Sequence, residues 1–326
     1  MSVSIQKPNQ RKLFCVMSAR ALPYAEKGIE SLFANVLEPV LLTIITDGPE
    51  DKSAIADSVS RIRLPSEHQW SIYSQNEADE RASTVFRRYP HIEQFRRGHP
   101  CWRKVTDPLL FAAVDEEMII LDPDLYFPNR FHFEPSPKTG LQLMWQPPSC
   151  LLPDEVVMQV YGLGVKLAHH VDIGVAQLRN NIDLDWLNWF IGAIGGRSIP
   201  RAMHVEAIVW SALAMRMGGG YFDPTTWYCW QYRQWKRVAL KLRVPGATLL
   251  KSEPLTKVKC YHASGVAKWF VKDACERGLF AAPRTIPDSK ASMDYIELTK
   301  QQYLADQRLK RLVRRLGYYK IMRASG

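Results

Sequence analysis

Met118-Ile119-Ile120-Leu121-Asp122-Pro123-Asp124 is the stretch whose reading decides the fold. Its apolar run reads as a strand buried on both faces, and it ends by delivering two carboxylates. Charge at the end of a buried strand is costly unless a cation, hydrogen bonds or water meets it. In extended backbone, residues i and i+2 point to the same side, so Asp122 and Asp124 can converge on one divalent ion. Pro123 supports that geometry: it carries no N–H for a ladder, and it biases Asp122 toward extended dihedrals. The alternative for the same spacing is a turn in which the two aspartates cap backbone N–H groups.

Outward from this strand, the N-terminal half alternates apolar β-rich runs with amphipathic stretches. Lys12 to Met17 reads as the first strand, Pro23 to Asn35 as a helix, and Leu41 to Thr46 as a second strand closed by Asp47-Gly48-Pro49. Residues 50 to 100 are polar and carry no clear period, and Cys101 to Asp115 reads as a helix leading into the Met118 strand. Further strands are expected at Leu141 to Trp145, Val171 to Leu178 and Val258 to His262. Helices are expected at Leu184 to Ile194 and at Ala202 to Met217, the latter broken by Gly218-Gly219-Gly220. The pattern is that of an α/β domain around a mostly parallel sheet. With no internal repeat, the expected organisation is one domain over residues 1–280 and a C-terminal helical appendage over 281–326.

Composition narrows the function classes. The chain has 326 residues, 46% apolar and 23% charged, which fits a folded globular protein. Its polar opening, MSVSIQKPNQRK, and the lack of a long apolar run lead us to expect a cytoplasmic protein with no spanning helix. Six scattered cysteines without a CxxC pair read as reduced core thiols. The net charge of +10 is concentrated: residues 300–326 hold eight Lys or Arg against Asp306 alone, which leaves +3 for the body. Nucleic acid is therefore not the expected partner. Ala305, Leu309, Leu312, Val313 and Leu316 recur at helical spacing among those basic residues. Such a helix either lies on an anionic membrane surface, peripheral on its inner face, or docks on the domain. The basic stretch Arg87-Arg88, Arg96-Arg97 and Arg103-Lys104 reads as solvated surface, and Trp227, Trp230 and Trp235 as mostly core.

A second cluster, Tyr261-His262-Ala263-Ser264-Gly265-Val266-Ala267-Lys268-Trp269, sits where a strand gives way to a helix. His262 can offer a neutral imidazole to a metal, Gly265 lets backbone approach a ligand, and Lys268 supplies a point charge for phosphate. Taken singly, each also reads as an ordinary buried histidine, turn glycine or solvated lysine.

Together, CWRKVTDPLLFAAVDEEMIILDPDLYF and the later HASGVAKW resemble the GT-A glycosyltransferases of the family 8 type, which pair a DxD motif with HxxGxxK. The resemblance implies a Rossmann-like mixed sheet flanked by helices and a metal-dependent hexosyltransferase moving sugar from a nucleoside diphosphate sugar, a UDP-sugar, to a glycan or lipid-linked glycan with retention. By the same resemblance, Asp122, Asp124 and His262 are the metal ligands, Asp122 also reaching the nucleotide. Lys268 and the Gly265 backbone meet the diphosphate. Asp172, in Val171-Asp172-Ile173-Gly174-Val175, stands where the family carries asparagine facing the sugar, and Glu206 stands where an acidic or amide residue lies beside the anomeric carbon. The nitrogen in this ligand set favours Mn2+ over Mg2+. Two other readings compete: a haloacid-dehalogenase-like phosphatase using Asp122 and Asp124, and a non-catalytic sugar-nucleotide or membrane-binding module of the same fold.

Overall fold

A computed structural model describes residues 10–147, 150–288 and 292–317. Among them lie eleven strands: β1 (Arg11–Met17), β2 (Val40–Thr46), β3 (Gln69–Tyr73), β4 (Glu117–Leu121), β5 (Leu125–Tyr126), β6 (Leu141–Trp145), β7 (Val171–Arg179), β8 (Gly219–Tyr221), β9 (Trp227–Cys229), β10 (Cys260–His262) and β11 (Met293–Asp294). Eight form one sheet in the order β11-β8-β6-β7-β4-β1-β2-β3. β1 to β4 run parallel, β7 is antiparallel to both β4 and β6, and β8 continues parallel to β6. This is the expected mixed α/β sheet flanked by helices.

Alternation along β1 explains why both faces are covered. Leu13, Cys15 and Met17 point into one apolar core, and Phe14 and Val16 into the other. The second core takes the helix Val205–Met217, whose residues from Val205 to Ala214 are all buried. That helix ends at Gly218, whose positive φ of 74° lets the chain turn into β8.

The polar span of residues 50–100 is ordered as the helices Asp51–Ser60, Gln75–Val85 and Pro90–Arg96 with β3 between the first two. Cys101 to Asp115 departs from the single helix expected. It is a short α turn, Arg103–Thr106, between 3-10 turns at Pro100–Trp102 and Pro108–Leu110. Pro108 accounts for the break, because it lacks the N–H that would continue the ladder, although Asp107 before it keeps helical dihedrals. The basic stretch is likewise not all surface. Arg96, Arg103 and Lys104 are buried, with Arg96 and Arg103 both paired to the buried Asp107. Trp227 and Trp230 are buried, whereas Trp235 is exposed. None of the six cysteines is in a disulfide, and three of them are buried.

The segment beyond residue 280 is tied to the body. β11 adds an edge strand beside β8, the Ile286 N–H donates to Arg130 O, and Lys259 Nζ lies 3.2 Å from Asp288 Oδ1. The helix Lys300–Arg315 opens with a capping box between Thr299 and Gln302. It docks through Tyr303, whose hydroxyl donates to Asp154 at 2.7 Å, and through the buried Gln307. Leu309, Leu312 and Leu316 face solvent, so the periodic apolar stripe is not the docked face. No helix among the described residues is long and apolar enough to cross a membrane. Lys320 and Arg323 lie outside the described residues.

The feature that positions everything else is the crossing from β4 to β5. Only Asp122-Pro123-Asp124 separates the large sheet from a second, three-stranded sheet ordered β5-β10-β9. The helix Leu22–Asn35 braces the far side of this crossing. Phe127 N–H donates to Ser31 Oγ at 3.0 Å, Asn35 Nδ2 donates to Phe127 O at 2.7 Å, and a Cβ at Gly28 would sit 2.3 Å from Leu125 O. Gly28→Ala should therefore cost about 1–3 kcal/mol in urea denaturation, despite the better helix propensity of alanine. An unchanged midpoint would show that this helix is not seated on the crossing.

Candidate functional site

Register, not proximity in sequence, assembles the site. β10 pairs antiparallel with β5 so that His262 lies opposite Leu125, and the Ala263 N–H donates to Asp124 O at 2.9 Å. On the other side, the Asp122 N–H donates to Gly174 O at 2.8 Å, continuing the β4–β7 ladder one residue past Leu121. The strand ends carrying Asp122, Gly174 and His262 thus meet at one point.

There, His262 Nε2 lies 3.2 Å from Asp124 Oδ1 and 3.8 Å from Asp122 Oδ2. One donor atom from each of the three side chains falls within 4.8 Å of the others. Two oxygens and one imidazole nitrogen converging from three directions fit a divalent cation. The other ring nitrogen, Nδ1, is held by both carboxylate oxygens of Asp172, at 2.8 and 3.0 Å. Asp172 in turn accepts the Gly174 N–H at 2.9 Å. Glycine is required here because a Cβ at position 174 would lie 2.6 Å from His262 Nδ1. Cys229 approaches the same Nδ1 at 3.8 Å, forming a second possible donor group with Asp172 and His262. Burial pushes its thiol up to about 12, so it stays protonated beside the ring.

Electrostatics set the protonation of the cluster. Burial and the neighbouring Asp124 push Asp122 upward, against the pull of Lys104 and His262. Burial also opposes ionisation of Asp124, but His262 and Lys268 win and hold it below the usual carboxylate range. For His262, burial favours the neutral ring, yet the carboxylates of Asp172 and Asp124 raise it well above an ordinary histidine. A cation arriving at Nε2 would displace that proton.

Sequence reading missed Lys104. It is buried, ion-paired to Asp122 and lying 3.1 Å from Glu206 Oε1, and its ammonium also donates to Ile173 O at 3.1 Å. It links the residue expected to bind metal to the residue expected beside the reacting carbon. Burial pushes Glu206 up to about 7, with Lys104 opposing. The available signal was local: Arg103 and Lys104 sit among Trp102, Val105, Leu109 and Leu110, a setting that surface charges do not need.

These groups line a cleft of about 610 Å³. Every site residue expected from sequence borders it: Asp122, Asp124, Asp172, Glu206, His262, Gly265 and Lys268. Gly265 has a positive φ of 63° in the turn before the helix Ala267–Glu276. Lys268 Nζ lies 3.8 Å from Asp124 Oδ2 and 4.5 Å from the centre of the Tyr24 ring, which meets Trp269 edge-on at 5.4 Å. A pocket with an acidic, metal-competent floor and a lysine at one wall can hold a diphosphate and leave room for a second substrate.

No protein-family model matches the chain, and no curated protein matches it. Among solved structures, the crystal structure of mouse xyloside xylosyltransferase 1 in its apo form is similar, with a TM-score of 0.48 at 11% identity over 78% of this chain and 97% of that chain.

Proposed function

We propose that this chain is a metal-dependent glycosyltransferase that moves a sugar from a nucleoside diphosphate sugar, a UDP-sugar, to a glycan or lipid-linked glycan acceptor, with retention at the anomeric carbon. The observation that carries the reading is the convergence of Asp122, Asp124 and His262 with Lys268 in one cleft, from strands joined only by fold. Asp122, Asp124 and His262 would hold the cation, Mn2+ ahead of Mg2+, which supplies positive charge for the leaving diphosphate. Lys268 and the Gly265 backbone bind the same diphosphate, and Lys268 adds charge that counts more as the bond to phosphate breaks. Lys104 favours the ionised form of Asp122 against its burial and holds Glu206 in the cleft, where its carboxyl faces the reacting sugar. We assign Asp172 to positioning: with both oxygens on His262 Nδ1, it fixes the ring so that Nε2 faces Asp124. The phosphatase reading fares worse, because its nucleophilic Asp122 would be tied up by Lys104 and faced by His262. The non-catalytic reading predicts binding without release of UDP.

Incubation with a panel of nucleotide sugars should show slow donor hydrolysis that needs Mn2+ and stops with chelator. Asp124→Ala and His262→Ala should lower it more than about a hundredfold with the fold intact. Hydrolysis indifferent to metal, or unchanged in either variant, would sink the reading. Asp172→Asn keeps the shape and removes the charge, so Mn2+ affinity read by electron paramagnetic resonance should fall about 10–100-fold. Wild-type affinity would return Asp172 to a role at the sugar.

The exposed leucines of Lys300–Arg315, set among Arg308, Arg311, Arg314 and Arg315, support the expected peripheral contact with an anionic membrane surface. Removal of residues 300–326 should weaken sedimentation with anionic vesicles, most at low salt. Identical sedimentation would remove the membrane from the proposal.

A further inference from the structure

The helix Gln234–Lys241 packs the wrong way round for an ordinary amphipathic helix. Its inward face carries a charge: Lys236 is almost fully buried, paired with Glu253 Oε1 at 2.5 Å and placed 3.9 Å over the Trp230 ring. Ala239 and Leu240 complete that face against the small core behind β10. The apolar residues point away. Trp235 is 47% exposed, Val238 45% and, just past the helix, Leu242 74%. Their spacing of three and four residues makes one stripe, and Tyr232 extends it at 38% exposed.

Lys236 lies 5.6 Å from the centre of the Trp235 ring and Arg237 4.6 Å over the Tyr232 ring, but Val238 and Leu242 are exposed, and a buried ion pair on one side with such a stripe on the other is an arrangement water alone does not favour. Charge identifies the occupant. Between Asp223 and Glu253 the chain carries Arg233, Lys236, Arg237, Lys241, Arg243 and Lys251 and no acidic residue. Of these, Arg233, Lys241 and Arg243 are exposed beside the stripe. A second copy of the chain on this face would bring like charges together. Nucleic acid would satisfy the charges but leave Val238 and Leu242 without partners. A bilayer with anionic headgroups satisfies both, taking the stripe at the acyl boundary, the aromatic rings at headgroup level and the cations at the phosphates.

We propose that Tyr232–Arg243 is a membrane-docking surface for an anionic lipid bilayer, distinct from the terminal helix. The proposal does not rest on the transferase reading. It is a contact separate from the one proposed for Lys300–Arg315, and the two are tested separately.

The test is sedimentation of the full chain with vesicles of phosphatidylglycerol and phosphatidylcholine, against vesicles of phosphatidylcholine alone. Trp235→Glu/Leu242→Glu removes the stripe, Lys241→Glu/Arg243→Glu reverses the charge, and near-UV circular dichroism checks the fold of each. Each pair should lower partitioning onto the anionic vesicles about tenfold or more, and the charge pair should lose its deficit at high salt. In a chain ending at residue 299, the same pairs should reduce the remaining partitioning, which separates this surface from the terminal helix. Parent-like partitioning of both pairs would overturn the proposal. Equal parent binding to the two vesicle types would do the same, as would a parent dimer that the stripe variant dissolves.

Discussion

Three residues carry the chain from one sheet to another, and the site exists because those three are Asp122, Pro123 and Asp124. β4 ends in the large sheet and β5 begins in the small one, so the link between them extends each ladder by one hydrogen bond and then leaves it. Its carboxylates are forced to the seam, where β7 and β10 close on them from opposite sides. The hydrogen bonds from Asp122 to Gly174 and from Ala263 to Asp124 carry the β4–β7 and β5–β10 registers up to the link itself. A one-residue slip of β10 against β5 would turn His262 to the other face of the sheet and dissolve the donor set. The geometry of the cluster is thus a property of strand pairing more than of the flexible side chains that display it.

That placement creates an electrostatic problem whose solution defines the cleft. Asp122, Asp124, Asp172 and Glu206 are gathered in little water, and the fold answers with Lys104, Lys268 and a protonated His262. Two of these cations are fixed by burial or by double hydrogen bonding, whereas Lys268 stands at the wall, partly exposed and only loosely paired with Asp124. The loosely paired cation is the one free to turn to an anionic ligand. The proton on His262 is the one a metal can replace. The balance would suit the exchange proposed above, in which a divalent ion and a diphosphate entering together would leave no buried charge unmatched.

Much of this was legible in the chain because short-range rules apply to it. The strands at Lys12, Leu41, Met118, Leu141 and Val171 announced themselves by apolar runs, and Gly218 to Gly220 marked the end of a helix. Asp122, Asp124 and His262 could be nominated from residue type at strand ends. Their meeting could not be read from spacing, since it depends on a pairing across more than a hundred residues. Lys104 was hidden for a related reason. A lysine in a basic run looks solvated until tertiary structure supplies its carboxylates, and Pro108 had already broken the helix on which its neighbours were expected to lie. The terminal helix was found by its period, but the period did not say which face would dock; Tyr303 and Gln307 decided that by reaching Asp154 and the core.

His262 belongs to two overlapping donor groups, one with Asp122 and Asp124 and one with Asp172 and Cys229, and a single imidazole cannot serve both. Three features choose between them. Cys229 is held as a neutral thiol by burial, so the second group lacks its strongest anion. Nδ1 is already engaged by both oxygens of Asp172, which leaves Nε2 as the nitrogen that can give up its proton and offer a lone pair. And it is Nε2 that faces the open cleft beside Lys268, where a cation would also touch an incoming diphosphate. An asparagine at position 172 could accept one hydrogen bond from Nδ1 but would bring no charge to strengthen the ring as a ligand. Asp172 therefore supports the histidine, and it favours the group with Asp122 and Asp124 over the one with Cys229 as the place for a cation.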